Sequence, residues 1–549
     1  MGEKGSEVTK TVAEFVGAAL ARLGVGHAFG VVGSGNFHVT NALRAAGVPF
    51  VAARHEGGAA TMADAWARTA GRPAVLSVHQ GCGLTNAMTG IAEAAKSRTP
   101  LLVLAADTGA AAVRSNFRID QDALVTAVGA VAERVHSPAS AASDVVRAYR
   151  RATQERRTVV LNLPLDVQAA PAPDGPLPAV PPLSPVRPAE AAVEELASMI
   201  ATARRPVFIA GRGARSAGEE LRALAAASGA LVATSAVGHG LFAGDHWALG
   251  ISGGFASPLA AELIREADLV VGWGCALTMW TTRHGTLLGP DARVVQVDLD
   301  ADAVGAHRPV DLGVLGDVGA TAAALLDVVA PRTGYRTEPV REAIAARIRL
   351  RDVPYDDLTG RDGIDPRTLT VGLDDVLPRE RVVAVDSGNF MGYPSAYLSV
   401  PDEAGFCFTQ AFQSIGLGLA TAVGAALARP DRLPVAALGD GGALMAAAEL
   451  ETVVRLGIPM VVVIYDDRGY GAEVHHFPDA DHAIVTFPDR DLAAIGRGYG
   501  FDAVTVRTAG DLKGVADWVA GPRAAPLLVH ALIASDGGSW WLAEAFRGH

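Results

Sequence analysis

Gly439-Asp440-Gly441-Gly442, with Asp467 following 27 residues after Asp440 in Val461-Val462-Val463-Ile464-Tyr465-Asp466-Asp467-Arg468-Gly469-Tyr470, decides the reading of this chain. The pattern predicts a strand, a glycine-rich turn, a helix and a second strand. A turn that opens a helix presents free backbone N–H groups and a positive dipole end, which suit a diphosphate. On neighbouring parallel strands, Asp440 and Asp467 meet at one sheet edge. There two carboxylates can hold a hard cation such as Mg2+ against phosphate oxygens. The competing reading is two aspartates at ordinary strand ends.

A chain of 549 residues is too long for one core, and its length suggests about three domains. Half of the residues are apolar, with abundant alanine and glycine, as in α/β globular enzymes. The net charge of −12 argues against a nucleic-acid or anionic-membrane surface. Cys82, Cys275 and Cys407 are far apart without metal-ligand spacing, so buried free thiols in a reducing compartment are expected. The start, Met1 to Glu7, is polar without an apolar signal core, and no run is long enough for a membrane span; a cytoplasmic protein is the expectation.

A proline-rich stretch from Ala169 to Pro188 reads as an extended linker, and a softer break lies between Pro331 and Asp365. Each of the three parts alternates apolar runs with alanine-rich helical stretches. Buried strands are predicted at Ala74–Val78, Leu101–Ala105 and Val159–Leu163, then at Val207–Ala210, Leu269–Gly272 and Val294–Val297. In the last part they are predicted at Val382–Val385, Val435–Leu438, Met460–Ile464 and Leu527–Ala531. Strand-helix alternation with apolar strands implies an α/β protein of doubly wound parallel sheets.

The Gly-Asp-Gly element with a metal-ligating position at this spacing resembles the thiamine diphosphate signature. The resemblance covers nearly the whole chain and is to the acetolactate synthase, pyruvate oxidase and 2-oxo acid decarboxylase superfamily. One departure is Asp467, where that signature has asparagine; it adds a negative charge beside a diphosphate. The resemblance implies a pyrimidine-binding domain at residues 1–168, a middle Rossmann-like domain at 189–330 and a diphosphate-binding domain at 360–549. It implies thiamine diphosphate and Mg2+ as cofactors, with Asp440, Asp467 and the Gly469 carbonyl as metal ligands. Glu56, in Arg54-His55-Glu56-Gly57-Gly58, matches the acid that hydrogen-bonds the aminopyrimidine ring and promotes the tautomer that deprotonates the thiazolium. Further cofactor positions are Gly388 and Asn389, Gly439, Gly441 and Gly442, Gln413 through its carbonyl, Ile415 between the two rings, and Tyr470. Glu56 and the diphosphate loops are expected on different subunits, so a homodimer is the minimum and a homotetramer the larger expectation.

Which reaction follows rests on fewer residues. Glu473, in Gly471-Ala472-Glu473-Val474-His475-His476, matches a proton-transferring glutamate of decarboxylases; a solvated helix face is its alternative. His79 and Gln80, in Val78-His79-Gln80-Gly81-Cys82-Gly83, stand where synthases carry a different glycine turn and are candidates for catalysis or for a substrate carboxylate. Asn36, His38, Gln121, Ala472 and His476 are candidate substrate contacts. The tail from Ser539 to His549, with Trp540, Trp541 and Phe546, is either a lid or a docked helix. The turn Gly211-Arg212-Gly213-Ala214 is similar to a nucleotide-binding turn, but the motif of FAD-containing synthases is replaced by Cys275 to Gly285, which weighs against FAD and leaves Thr281, Arg283 and His284 to shape a pocket. The expected activity is decarboxylation of a 2-oxo acid, pyruvate by default, with transfer of the acyl carbanion to a carbonyl acceptor. The alternatives are a decarboxylase releasing an aldehyde and a noncatalytic nucleotide- or flavin-binding regulatory protein.

Overall fold

The computed structural model describes residues 10–535 and 539–545, so the polar start and Phe546 lie outside the described residues. The chain forms three six-stranded sheets, every neighbouring pair of strands parallel. The first contains β1 (His27–Gly30), β2 (Phe50–Ala52), β3 (Ala74–Val78), β4 (Leu101–Asp107), β5 (Val131–Arg134) and β6 (Thr158–Pro164). The second contains β7 (Pro206–Ala210), β8 (Leu231–Thr234), β9 (Ala248–Ile251), β10 (Leu269–Trp273), β11 (Arg293–Asp298) and β12 (Leu312–Leu315). The third contains β13 (Arg381–Val385), β14 (Phe406–Phe408), β15 (Leu433–Gly439), β16 (Val461–Asp466), β17 (Asp502–Val506) and β18 (Leu527–Leu532).

The first sheet has the order β2-β1-β3-β4-β6-β5, and the third repeats it as β14-β13-β15-β16-β18-β17. The middle sheet has the order β12-β11-β10-β7-β8-β9, the doubly wound nucleotide-fold order. Interior strands such as β4, β6 and β16 are buried at every residue, which is why they read as unbroken apolar runs.

The first and third units share one hydrophobic core. Its seam is the helix Glu56–Ala70 packed on the helix Gly418–Ala428. Alanines and glycines on both helices allow this approach: a side chain at Gly424 would collide with the Met62 carbonyl. Arg68 crosses the seam, donating to the Phe408 carbonyl at 3.1 Å while pairing with Asp64 and Glu93. Cys275 and Cys407 are buried, but Cys82 is exposed, because it opens a short helix at the rim of the first sheet rather than facing its core. Among the described residues no helix is long and apolar enough to cross a membrane.

Candidate active site

The carboxyl ends of β15 and β16 build the first half of the site. These strands are hydrogen-bonded neighbours in parallel register, Gly439 beside Tyr465, so Asp440 and Asp467 emerge side by side. Burial and then the Asp467 and Asp466 charges push the Asp440 carboxyl up to about 7. Asp467 rises to about 6 through burial, against the opposing effect of Asn389 Nδ2, which donates to it at 3.3 Å. Asp466 points inward, accepting from Arg468 N at 2.9 Å and meeting His530 Nε2 at 2.6 Å.

Two carboxylates at one sheet edge, with the Asp467 charge raising Asp440, suit a divalent cation, which would remove the repulsion. Among the described residues no three His, Cys, Asp or Glu side chains cluster as a metal cage. Further ligands would therefore be a backbone carbonyl, such as that of Gly469, and oxygens of a bound diphosphate. Gly441 and Gly442 lie in the first turn of the helix Asp440–Met445 and have no room for side chains: one at Gly441 would press on Tyr470, and one at Gly442 on the Asp386 carboxylate. The donor set and the glycine cradle fit a Mg2+-diphosphate group.

Asp386, at the end of β13, organises the adjoining loop. It is fully buried and accepts from Ser387 N at 2.8 Å, Gly416 N at 3.0 Å and Leu417 N at 3.2 Å. Burial still pushes its carboxyl up to about 6. The loop it holds carries Gln413, at φ 61°, and the half-buried Ile415, whose carbonyl accepts from Ser414 Oγ. From the first unit, Glu93 accepts Ala411 N at 3.2 Å and Phe412 N at 2.7 Å, bracing the same loop. Gly388 has φ 140°, a conformation that favours glycine, and leads into Asn389. Asn389 is buried, with its carbonyl accepting from Trp541 Nε1 at 3.0 Å and its Oδ1 from Ser539 Oγ at 3.1 Å. The tail is thus a docked helix: Trp541 is fully buried, and Trp540 Nε1 reaches the Gly254 carbonyl of the middle unit at 2.8 Å.

The second half of the site lies at the carboxyl edge of the first sheet. Glu56 opens the helix Glu56–Ala70 and accepts from Asn86 Nδ2 at 3.1 Å. His79 lies across Gly83 from Glu56: a Cβ at Gly83 would be 3.1 Å from His79 Cβ and 3.6 Å from Glu56 Oε1. The His79 ring packs edge-on to Phe117, with Nδ1 3.0 Å from the Gln80 carbonyl and Nε2 3.5 Å from Ser34 Oγ. Gln80 is buried against Gly35, with Oε1 lacking a partner.

Other candidate residues have different surroundings. Asn36 is fully buried; it accepts Gly33 N and donates to the Val31 carbonyl and Ser77 Oγ, so it shapes its loop rather than facing a substrate. Gln121 is likewise committed, accepting Gly81 N at 2.9 Å and donating to the Ala106 carbonyl and Asn162 Oδ1. Both are anchors of the glycine turns. His38 is exposed beside Phe37 on the outer helix. Glu473 is exposed on the helix Gly471–His476, not enclosed in an apolar pocket; Ala472 packs on the third core, and His476 lies against Phe477. Arg283 donates to the carbonyls of Gly253 and Ala256, which makes it a brace of the middle unit. The turn Gly211–Ala214 is hydrogen-bonded to the segment after β10, through Gly211 N to the Trp273 carbonyl and Gly213 N to the Gly274 carbonyl.

The residues that sequence reasoning missed are Asp386 as a loop anchor, Glu93 and Glu449. Glu449 is buried and accepts the backbone N–H groups of Arg54 and His55. The sequence signal for each was a carboxylate inside an otherwise apolar or alanine-rich stretch.

Three family models match the chain in order. They are the thiamine pyrophosphate enzyme N-terminal TPP binding domain over residues 10–126, central domain over 193–325 and C-terminal TPP binding domain over 386–531. A probable 2-ketoarginine decarboxylase of Pseudomonas aeruginosa is 31% identical, over 90% of this chain and 89% of that protein. A sulfoacetaldehyde acetyltransferase of Rhodobacter capsulatus is 28% identical over 96% of this chain and 94% of its own. The acetolactate synthase large subunit of Parasynechococcus marenigrum is 29% identical over 89% and 82%.

Proposed function

The chain belongs to the thiamine pyrophosphate enzyme family, within its acetolactate synthase and decarboxylase group, and we propose that it is a carboligase: it decarboxylates a 2-oxo acid, by default pyruvate, and transfers the acyl unit to a carbonyl acceptor. Thiamine diphosphate, when bound, supplies the carbon nucleophile and the electron sink. Asp440, Asp467 and the Gly469 carbonyl would hold Mg2+; the Gly441 and Gly442 N–H groups, with Gly388, Asn389, Gly439 and Tyr470, would surround the diphosphate. The Gln413 carbonyl would accept from the 4′-amino group, Ile415 would stand between the rings, and Glu56 would hydrogen-bond the pyrimidine. His79 and Gln80 face the substrate side.

Residues 1–168, 189–330 and 360–549 form the pyrimidine-binding, middle and diphosphate-binding domains in this reading. Glu56 and the diphosphate loops that it serves belong to different subunits of a cytoplasmic homodimer or homotetramer. Support comes from exposed apolar side chains beside both half-sites: Leu444 and Met445 next to the Asp440 turn are 49% and 57% exposed, and Phe117 beside His79 is 44% exposed. A second subunit would cover them.

Carboligation over aldehyde release is supported by the likeness to the sulfoacetaldehyde acetyltransferase and to the acetolactate synthase large subunit, each matched over most of its length. The second reading, a decarboxylase that releases an aldehyde, is supported by the 31% identity to the 2-ketoarginine decarboxylase. Product analysis by NMR with pyruvate, thiamine diphosphate and Mg2+, with and without a second aldehyde or 2-oxo acid, tests the choice. Acetolactate or another 2-hydroxy ketone is expected. Free aldehyde as the sole product would overturn carboligation.

A further inference from the structure

A cavity of about 550 Å³ lies between the second and third sheets, away from both half-sites. Its walls are the edge strand β9 and the loop before it, the segment Ile348–Arg351, and the start of β13 with the end of the helix Gly392–Tyr397. Arg381, which lines it, opens β13, whereas Asp386 of the cofactor loop follows the other end of that strand. The volume is within the range of small-molecule sites.

The lining is two-sided. Phe242, Leu249, Ile251, Phe255 and Leu377 supply an apolar wall. The lining also includes the arginines Arg349, Arg351, Arg379 and Arg381. Asp374 is shared between two of them: it accepts from Arg351 at 3.1 Å and pairs with Arg381. Arg379 is exposed at the rim and has no ion pair among the described residues. Arg349 pairs with Asp352 and Arg351 also with Asp375, so the positive charge left unpaired on that wall is that of Arg379.

Three lining side chains also keep a buried polar atom without a partner: Thr234 Oγ1, His239 Nε2 and Arg381 Nη1. Arg381 is 1% exposed, and its other nitrogens are bound to the Ser399 carbonyl, Ser399 Oγ and Asp374. Burial pushes the His239 imidazole down to about 4, so it is neutral at physiological pH and adds no charge. These three atoms are enclosed in the walls rather than open to the cavity, so the guanidinium groups a ligand can reach are those of Arg351 and Arg379.

We propose that this cavity binds a small amphipathic organic anion, with its acid group at Arg351 and Arg379 and its hydrocarbon part against Phe242, Ile251 and Phe255. The site is separate from the cofactor site and does not depend on which reaction the enzyme performs.

The test is fluorescence titration with 8-anilinonaphthalene-1-sulfonate, an aromatic sulfonate of this class. It uses enzyme saturated with thiamine diphosphate and Mg2+, so that the cofactor site is filled. Saturable binding is expected. Ala248→Trp, which fills the cavity, should weaken it by about tenfold or more. Arg379→Glu, at the exposed rim, should weaken it by about fivefold while preserving kcat and Tm. If one variant fails to fold, the other still reads the site. Absence of saturable binding, or a Kd that changes by less than about twofold in every folded variant, would overturn the proposal.

Discussion

Glu449 Oε1 accepts the backbone N–H of His55 at 3.0 Å, one residue before Glu56 opens its helix. The same carboxylate takes Arg54 N at 3.1 Å and Thr452 Oγ1 at 2.6 Å. A group on the third unit thus fixes where the first unit presents its acid. Glu449→Ala should leave three donors without this partner and destabilise the protein by about 3 kcal/mol. Displacing the helix start should also lower kcat by about tenfold or more. Thermal unfolding and steady-state kinetics check this; wild-type values for both would remove Glu449 as the positioning residue.

Glu56→Gln keeps the shape and the contact with Asn86 but not the acid. Turnover should fall by about a hundredfold or more while thiamine diphosphate still binds. Cofactor titration beside the kcat measurement separates the two effects, and substantial residual turnover would sink the assignment.

Asp440→Ala removes one of two facing carboxylates. Mg2+ and thiamine diphosphate affinity should fall together, by about tenfold or more. The readout is cofactor binding as a function of Mg2+ concentration. An unchanged affinity would contradict the metal role.

Asp386 carries the pH dependence that is easiest to isolate. Its folded pKa is about 6, above the ordinary 3.8. The folded state therefore holds its proton over a range where the unfolded chain has lost it. This contribution to stability is complete below the ordinary value and disappears as pH rises through 6. Between pH 5 and pH 7 it should decline by about 1 kcal/mol. Asp386→Asn should flatten that part of the stability profile. Parallel Tm profiles for the two proteins would be the contrary result.

Trp541 tests the docked tail. Trp541→Ala should cost about 3–5 kcal/mol through the lost packing on Tyr393 and Gly392. Trp541→Phe keeps most of that packing but loses the hydrogen bond to Asn389, and should cost about 1 kcal/mol. Equal Tm values for the two variants would show that ring packing is not what holds the tail.

The strands legible in the sequence were all interior strands. β3, β4, β6, β7, β10, β11, β13, β15, β16 and β18 are covered on both sides, so the hydrophobic effect demands unbroken apolar runs from them. All six edge strands, β2, β5, β9, β12, β14 and β17, went unread, as did the interior β1 and β8, because runs of three to five residues leave little pattern. The common strand order of the first and third sheets was not legible either, since order depends on which strands pair across the chain.

By itself, the sequence determined the three-part α/β plan, the glycine turn at Gly439–Gly442 and the carboxylates Asp440 and Asp467. These are local matters: glycine at a crowded turn and apolar runs in covered strands are written within a few residues of each other. Only the tertiary structure decided that Glu449, Glu93 and Asp386 brace the loops, that Asn36 and Gln121 are committed anchors, and that Glu473 faces outward. A carboxylate carries the same letter whether it accepts buried N–H groups or meets water. What distinguishes the cases is burial and the donors around it, and those are set by other segments, near Gly416 for Asp386 and near His55 for Glu449.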